Sequence, residues 1–217
     1  MGMKKTVDSV RVEPTKIIME KAFIFLYPQQ DIFDFEMRKG WEEQMRRSNQ
    51  RLSYEDYKRE YAKTLNECIN NRYRKQGFQV YFALLDNTKI SDIVEVREED
   101  KIIFVGIDEN RHRTRGENGE FTYPDQESIL KQLGNISSLR IAGFHTWDCV
   151  ERLAVSAYRR LPDVLVDEDL TEFLADRMLG EGFRKECFPN YDPKKDESMN
   201  IELFLEARRD RPWLWQY

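Results

Sequence analysis

Cysteine and histidine are scarce in this 217-residue chain, with three cysteines (Cys68, Cys149, Cys187) and two histidines. The cysteines are odd in number, far apart and not at metal-ligand spacing, which argues against a disulfide framework and a structural zinc. Long apolar runs are missing as well. The best one, Ile17-Ile-Met-Glu-Lys-Ala-Phe-Ile-Phe-Leu26, is broken by Glu20 and Lys21 and is too short to span a bilayer. The first residues, Met-Gly-Met-Lys-Lys-Thr, lack the apolar core of a signal peptide, so a cytoplasmic protein with reduced thiols is expected and no membrane partner. Positive charge is not in excess: 35 Lys and Arg face 40 Asp and Glu, a net −5, which argues against a general nucleic-acid binder. Neither G-x-G-x-x-G nor G-x-x-x-x-G-K-[ST] occurs, nor a G-x-S-x-G elbow, so dinucleotide, P-loop and serine-hydrolase readings lose their usual warrant. No cofactor and no metal are expected on these grounds. No repeat or low-complexity linker interrupts the chain. Residues 1–217 read as a single α/β domain, with 181–217 as a C-terminal extension docking on the domain or on a partner subunit.

The chain does contain alternating strands and helices. Ala22-Phe-Ile-Phe-Leu-Tyr27 is continuous apolar, as a strand buried on both faces must be. A helix is expected from Phe33 to Gln50, with Met37, Trp41 and Met45 on one face, and Ser53 should cap a second helix. Phe78–Leu85 and Lys101–Ile107 read as core strands, with a short helix around Ile90–Glu95 between them. Arg111-His-Arg-Thr-Arg-Gly-Glu-Asn-Gly-Glu120 reads as an exposed loop, and Asp125–Leu133 as a short helix. Leu139–Phe144 is a buried strand. It leads through a turn into a helix capped by Thr146, with Cys149 in its first turn, where the helix dipole favours thiolate. Asp163–Val166 is a short strand, and Leu170–Leu179 a helix. Strand and helix in alternation imply a three-layer, doubly wound (Rossmann-like), mostly parallel sheet with helices on both faces.

Open α/β sheets bind ligands at the C-terminal ends of their strands. Asp31, Asp86, Asp108, His145, Cys149 and Asp167 fall at such ends, although each aspartate taken alone is more often a helix cap. Arg111, Arg113 and Arg115 suit carboxylate or phosphate, so the 111–120 loop is either a flap over a small anionic molecule or an acidic partner surface, or an ordinary solvated loop. The C-terminal aromatics, Trp213-Leu-Trp215, are expected to be packed, on the domain or in a homo-oligomer.

Gly143-Phe-His-Thr-Trp-Asp-Cys-Val150, followed by Ala154 and Ala157, resembles the nucleophile turn of the isochorismatase-like cysteine hydrolases. Phe23-Ile-Phe-Leu-Tyr-Pro-Gln-Gln-Asp31 resembles that family's first strand and its Asp-x-Gln-x-Asp. The resemblance implies Cys149 as nucleophile, with Thr146 in the turn. It also implies an Asp and a Lys. The Asp falls on Tyr27, and the Lys belongs near Gly106–Asn110, where no lysine stands. The first expectation is therefore a non-catalytic binding or assembly protein on this fold. The alternatives are a thiol-dependent hydrolase using Cys149 with His145, and a divalent-metal site built from Asp31, Asp86, Asp108 or Asp167.

Overall fold

The uninterrupted apolar run after Lys21 becomes β1 (Glu20–Leu26), whose residues from Ala22 onward are buried. This computed structural model describes residues 20–47, 52–115, 121–146, 148–173 and 208–214. β1 is the middle of five strands. With β2 (Phe78–Asp86), β3 (Lys101–Asp108), β4 (Ile136–Thr146) and β5 (Asp163–Phe173), the sheet order is β3-β2-β1-β4-β5. Every pairing is parallel.

The chain walks outward from β1 to β3, then crosses back to β4 and walks the other way to β5. Right-handed crossovers turn that reversal into two helical layers. α1 (Gln30–Arg47) and α2 (Tyr54–Arg72) belong to the first walk; α4 (Gln126–Gln132) and α5 (Cys149–Tyr158) belong to the second. Ser53 caps α2, its hydroxyl accepting from the Asp56 N–H at 3.1 Å. Gly40 lies inside α1 because the Tyr57 hydroxyl of α2 occupies the space where a Cβ would stand. The fold class read from the sequence is the one observed.

Local expectations fail where tertiary contacts outrank propensity. β3 is an edge strand: Ile103, Val105 and Ile107 are buried, while Ile102 and Phe104 are 44% and 49% exposed. Ile90–Glu95 forms turns rather than a helix. Ser91 N–H donates to Pro28 O, and the Asn66 carboxamide takes up both Ile93 O and Glu95 N–H. Leu170–Phe173 continues β5 instead of starting a helix, because Thr171, Glu172 and Phe173 pair with Gly143, Phe144 and Thr146; residues 174–179 lie outside the described residues. Thr146 ends β4 and does not cap α5; Asp148 holds the N-cap position.

Beneath the sheet, Arg74 and Asp100 form an ion pair whose side chains are 5% and 0% exposed, ahead of β2 and β3 respectively. Arg74 Nε donates to Asp100 at 3.1 Å, and the Arg97 N–H donates to it at 2.9 Å. Removing one partner strands the other's charge in the interior. Asp100→Ala is expected to lower unfolding free energy by about 3 kcal/mol, read from the urea midpoint. A midpoint shift worth only a few tenths would mean that Arg74 reaches water once its partner is gone.

Residues 208–214 pack on the far side of the sheet. The Val166 N–H on β5 donates to Trp213 O at 2.8 Å, Leu214 is buried, and the Trp213 ring meets Tyr158 at 5.9 Å. Arg208, 5% exposed, donates to Glu168 at 2.7 Å, and Arg211 to Glu151 at 2.5 Å. The segment thus covers part of the outer edge of β5 in its own chain; Trp215 lies outside the described residues. Ending the chain after Arg211 removes a buried leucine and an edge hydrogen bond, and is expected to cost about 2–3 kcal/mol. An unchanged melting temperature would contradict this. Among the described residues no helix is long and apolar enough to cross a membrane.

Candidate functional site

The strand order reverses between β1 and β4, and the crevice beyond their C-terminal ends is where such sheets accept ligands. Tyr27 follows β1 and Cys149 follows β4. Between these two strands, Gly143 brings the backbones unusually close. At φ +111°, a Cβ added to it would sit 2.2 Å from Leu26 O. The next peptide bond but one, Phe144–His145, is cis. Tyr27 has φ +60°, in the left-handed region that bulky residues seldom adopt, and its N–H donates to Ala83 O at 2.8 Å. The left-handed residue after β1 and the close approach of β4 at Gly143 go with Tyr27 and Cys149 lying side by side.

The third contributor comes from β3. Asp108 accepts from the Arg111 N–H at 2.7 Å and caps a short helix, α3 (Glu109–Arg113). That helix delivers His112, whose Nε2 is 3.5 Å from Cys149 Sγ. His112 Nδ1 is 2.7 Å from Thr122 O. A carbonyl oxygen can only accept, so the proton is assigned to Nδ1, and the Nε2 lone pair faces the thiol. The imidazole is walled by Tyr27, 5.8 Å between ring centroids, and by the edge of Tyr123, 5.6 Å. Arg152 lies 3.6 Å above the Tyr123 ring, with its Nε 3.8 Å from Asp148 Oδ1.

Cys149 is the first residue of α5 and 2% exposed. The Asp148 side chain makes no capping bond to α5. Burial pushes the Tyr27 phenol well above its ordinary value, and the adjoining Cys149, Asp148 and Tyr123 push it the same way. Tyr27 therefore stays a neutral hydroxyl at any physiological pH. A carboxylate there would bring charge; the phenol brings a donor.

His145, the base expected from the sequence, is placed elsewhere. Its Nε2 is 3.7 Å from Glu36 Oε1 on α1, and its ring packs edge-on to Phe144. The imidazole at the thiol is His112, which was hidden inside an arginine-rich stretch expected to be an exposed loop. A signal was present: it is the other of only two histidines, and it follows a strand whose C-terminal end faces the same crevice. Arg111 and Arg115 are exposed, with Arg115 lying 5.1 Å above the Phe121 ring. The Arg113 side chain and residues 116–120 lie outside the described residues.

The four aspartates do not converge. Asp31 is exposed in the first turn of α1, and Asp86 accepts from the Gly106 N–H at 3.0 Å. Asp108 caps α3, and Asp167 accepts from Arg72 at 3.0 Å and from the Tyr73 hydroxyl. Among the described residues no group of three or more His, Cys, Asp or Glu could hold a metal ion. In place of a carboxylate cluster stand three separate structural contacts and the exposed Asp31.

No protein-family model matches the sequence, and no curated protein matches it. Among solved structures, the chain is similar in course to pyrazinamidase of Pyrococcus horikoshii, crystallised in complex with zinc. The TM-score is 0.46 at 15% identity, over 91% of this chain and 99% of that one. A likeness at this level assigns no role to any residue here.

Proposed function

We propose that the chain is a cysteine-dependent acyl-transfer enzyme, a hydrolase of amides or esters, with Cys149 as nucleophile and His112 as its base. One observation carries the reading: an imidazole locked by Thr122 O turns its free lone pair toward a thiol at a helix start. That is the orientation a nucleophile–base pair requires, with a third group holding the base. His112 Nε2 takes the proton from Cys149, and the sulfur attacks the acyl carbon. The first N–H groups of α5 point toward the oxygen that becomes negative. His112 then returns the proton to the departing amine or alcohol. Water, deprotonated by the same imidazole, releases the acid from the thioester. Arg111, Arg115 and Arg152 make the surroundings basic, so acyl groups carrying a carboxylate or phosphate are the class to test first.

The test is direct capture of the acyl-enzyme. Incubation with a panel of activated esters and amides, followed by acid quench and intact-mass measurement, should show one acyl adduct. The adduct should map to Cys149 and be removed by hydroxylamine. A panel that leaves the mass unchanged, together with turnover equal to the Cys149→Ser protein, would overturn the reading.

The 2% exposure of Cys149 favours a second reading, a non-catalytic binding or assembly protein. Under it, the dyad is a packed polar pair, and small electrophiles should react with Cys149 as fast after His112 is removed as before.

A further inference from the structure

The Tyr27 hydroxyl is the least explained group in the site. The residue is 2% exposed, and its oxygen, shut off from water, lies within reach of the Cys149 side chain without a hydrogen bond of good geometry to it. A buried hydroxyl left unsatisfied costs free energy, and such groups ordinarily have a partner in at least one functional state. Its surroundings limit what that partner can be. Cys149 and Asp148 act on it from α5, Tyr123 from the segment before α4, and the His112 ring from α3. The Thr122 carbonyl is already engaged by His112 Nδ1, and Asp148 is shared with Arg152.

We infer that Tyr27 is a positioning residue that donates its hydroxyl hydrogen to the Cys149 sulfur once the thiol has ionised. The inference rests on Cys149 being the reactive thiol and goes beyond the dyad reading by assigning the neutral phenol a task. The proton balance is simple. The S–H proton moves to His112 Nε2; no other bond breaks, and the thiolate accepts the Tyr27 O–H in place of the proton it gave up. The need for such a donor is visible in the charges. Asp148 precedes Cys149 in the chain and opposes negative charge on the adjoining Tyr27 phenol, and its partner Arg152 stands 3.8 Å away. A fixed neutral donor stabilises the thiolate without adding charge to a site already balanced between Asp148, Arg152 and the imidazolium. It also explains the left-handed backbone at Tyr27, which turns a bulky side chain back over the strand end toward α5.

The test is a titration of Cys149 by its ultraviolet thiolate absorbance, with Cys149→Ser subtracted, in the full-length parent, Tyr27→Phe and His112→Gln. Phenylalanine keeps the ring and removes only the oxygen. A hydrogen bond to a charged group contributes enough that Tyr27→Phe should raise the midpoint by about one to two pH units. A fluorinated tyrosine at position 27, a stronger donor of nearly the same shape, should lower it. A purely structural role for Tyr27 predicts neither movement. An unmoved midpoint in both Tyr27 proteins overturns the inference. A shift in His112→Gln alone then leaves the dyad intact, and no shift in any variant removes both. If Tyr27→Phe does not fold, the fluorinated protein decides by the sign of its shift.

Discussion

Gly143→Ala is expected to abolish the native fold or to cost more than about 4 kcal/mol, the range reserved for gross steric conflict. Alanine's Cβ would stand 2.2 Å from Leu26 O and 2.6 Å from Leu26 N. Both obstacles are backbone atoms of the central strand, held on their other side by β2, so neither can yield as a flexible side chain could. The φ of +111° adds strain of its own for any residue with a Cβ. Gly106→Ala supplies the control. Its φ is +83°, yet nothing lies within 4 Å of the added carbon, so only backbone strain of about 1–2 kcal/mol is expected. The comparison is made by urea unfolding, or by soluble yield where Gly143→Ala cannot be purified. Equal losses in the two proteins would mean that β1 and β4 separate easily. The closeness of these strands would then not be what sets Tyr27 against Cys149.

The second large effect concerns activity. With any substrate that acylates Cys149, His112→Ala should lower kcat by about 10²–10⁴-fold, the range for a positioned general base, with little change in KM. The protein should fold normally, since His112 is only part-buried and its hydrogen bonds go to a loop carbonyl and to the Cys149 sulfur. His145→Ala should change kcat by no more than a few-fold, because its imidazole faces Glu36. The two histidine variants decide between the base expected from the sequence and the imidazole that lies beside the thiol. A large loss in His145→Ala with near-normal turnover in His112→Ala would reverse the assignment.

Much of the fold was legible because the apolar pattern is nearly unbroken where strands are buried on both faces. Ala22–Tyr27, Phe78–Leu85 and Leu139–Phe144 could only be interior strands, and helical segments between them could only make crossovers. Cys149 at the start of a helix was legible too, from the strand, the turn and the small residues that follow it. The resemblance to isochorismatase-like hydrolases set Tyr27 at the position of that family's Asp. What the sequence could not supply was which imidazole meets the thiol. His145 is four residues from Cys149 and His112 is thirty-seven, so sequence distance favours His145, while His112 Nε2 is the one 3.5 Å from the sulfur. Direction was decided elsewhere: by the turn at Gly143, by the Asp108 cap that starts α3, and by Thr122 O, which fixes the ring. The same holds for Asp86 and Asp167, each bonded to a partner from a distant element, while Asp108 caps the helix that follows it and Asp31 is exposed. It holds for Leu170–Phe173, whose helical propensity gave way to pairing with β4. Local pattern determined which segments are strands and which faces are apolar, because burial acts on residues two or four apart. Which side chains meet at the crevice depended on how three strand ends turn, and only contacts between distant segments set those turns.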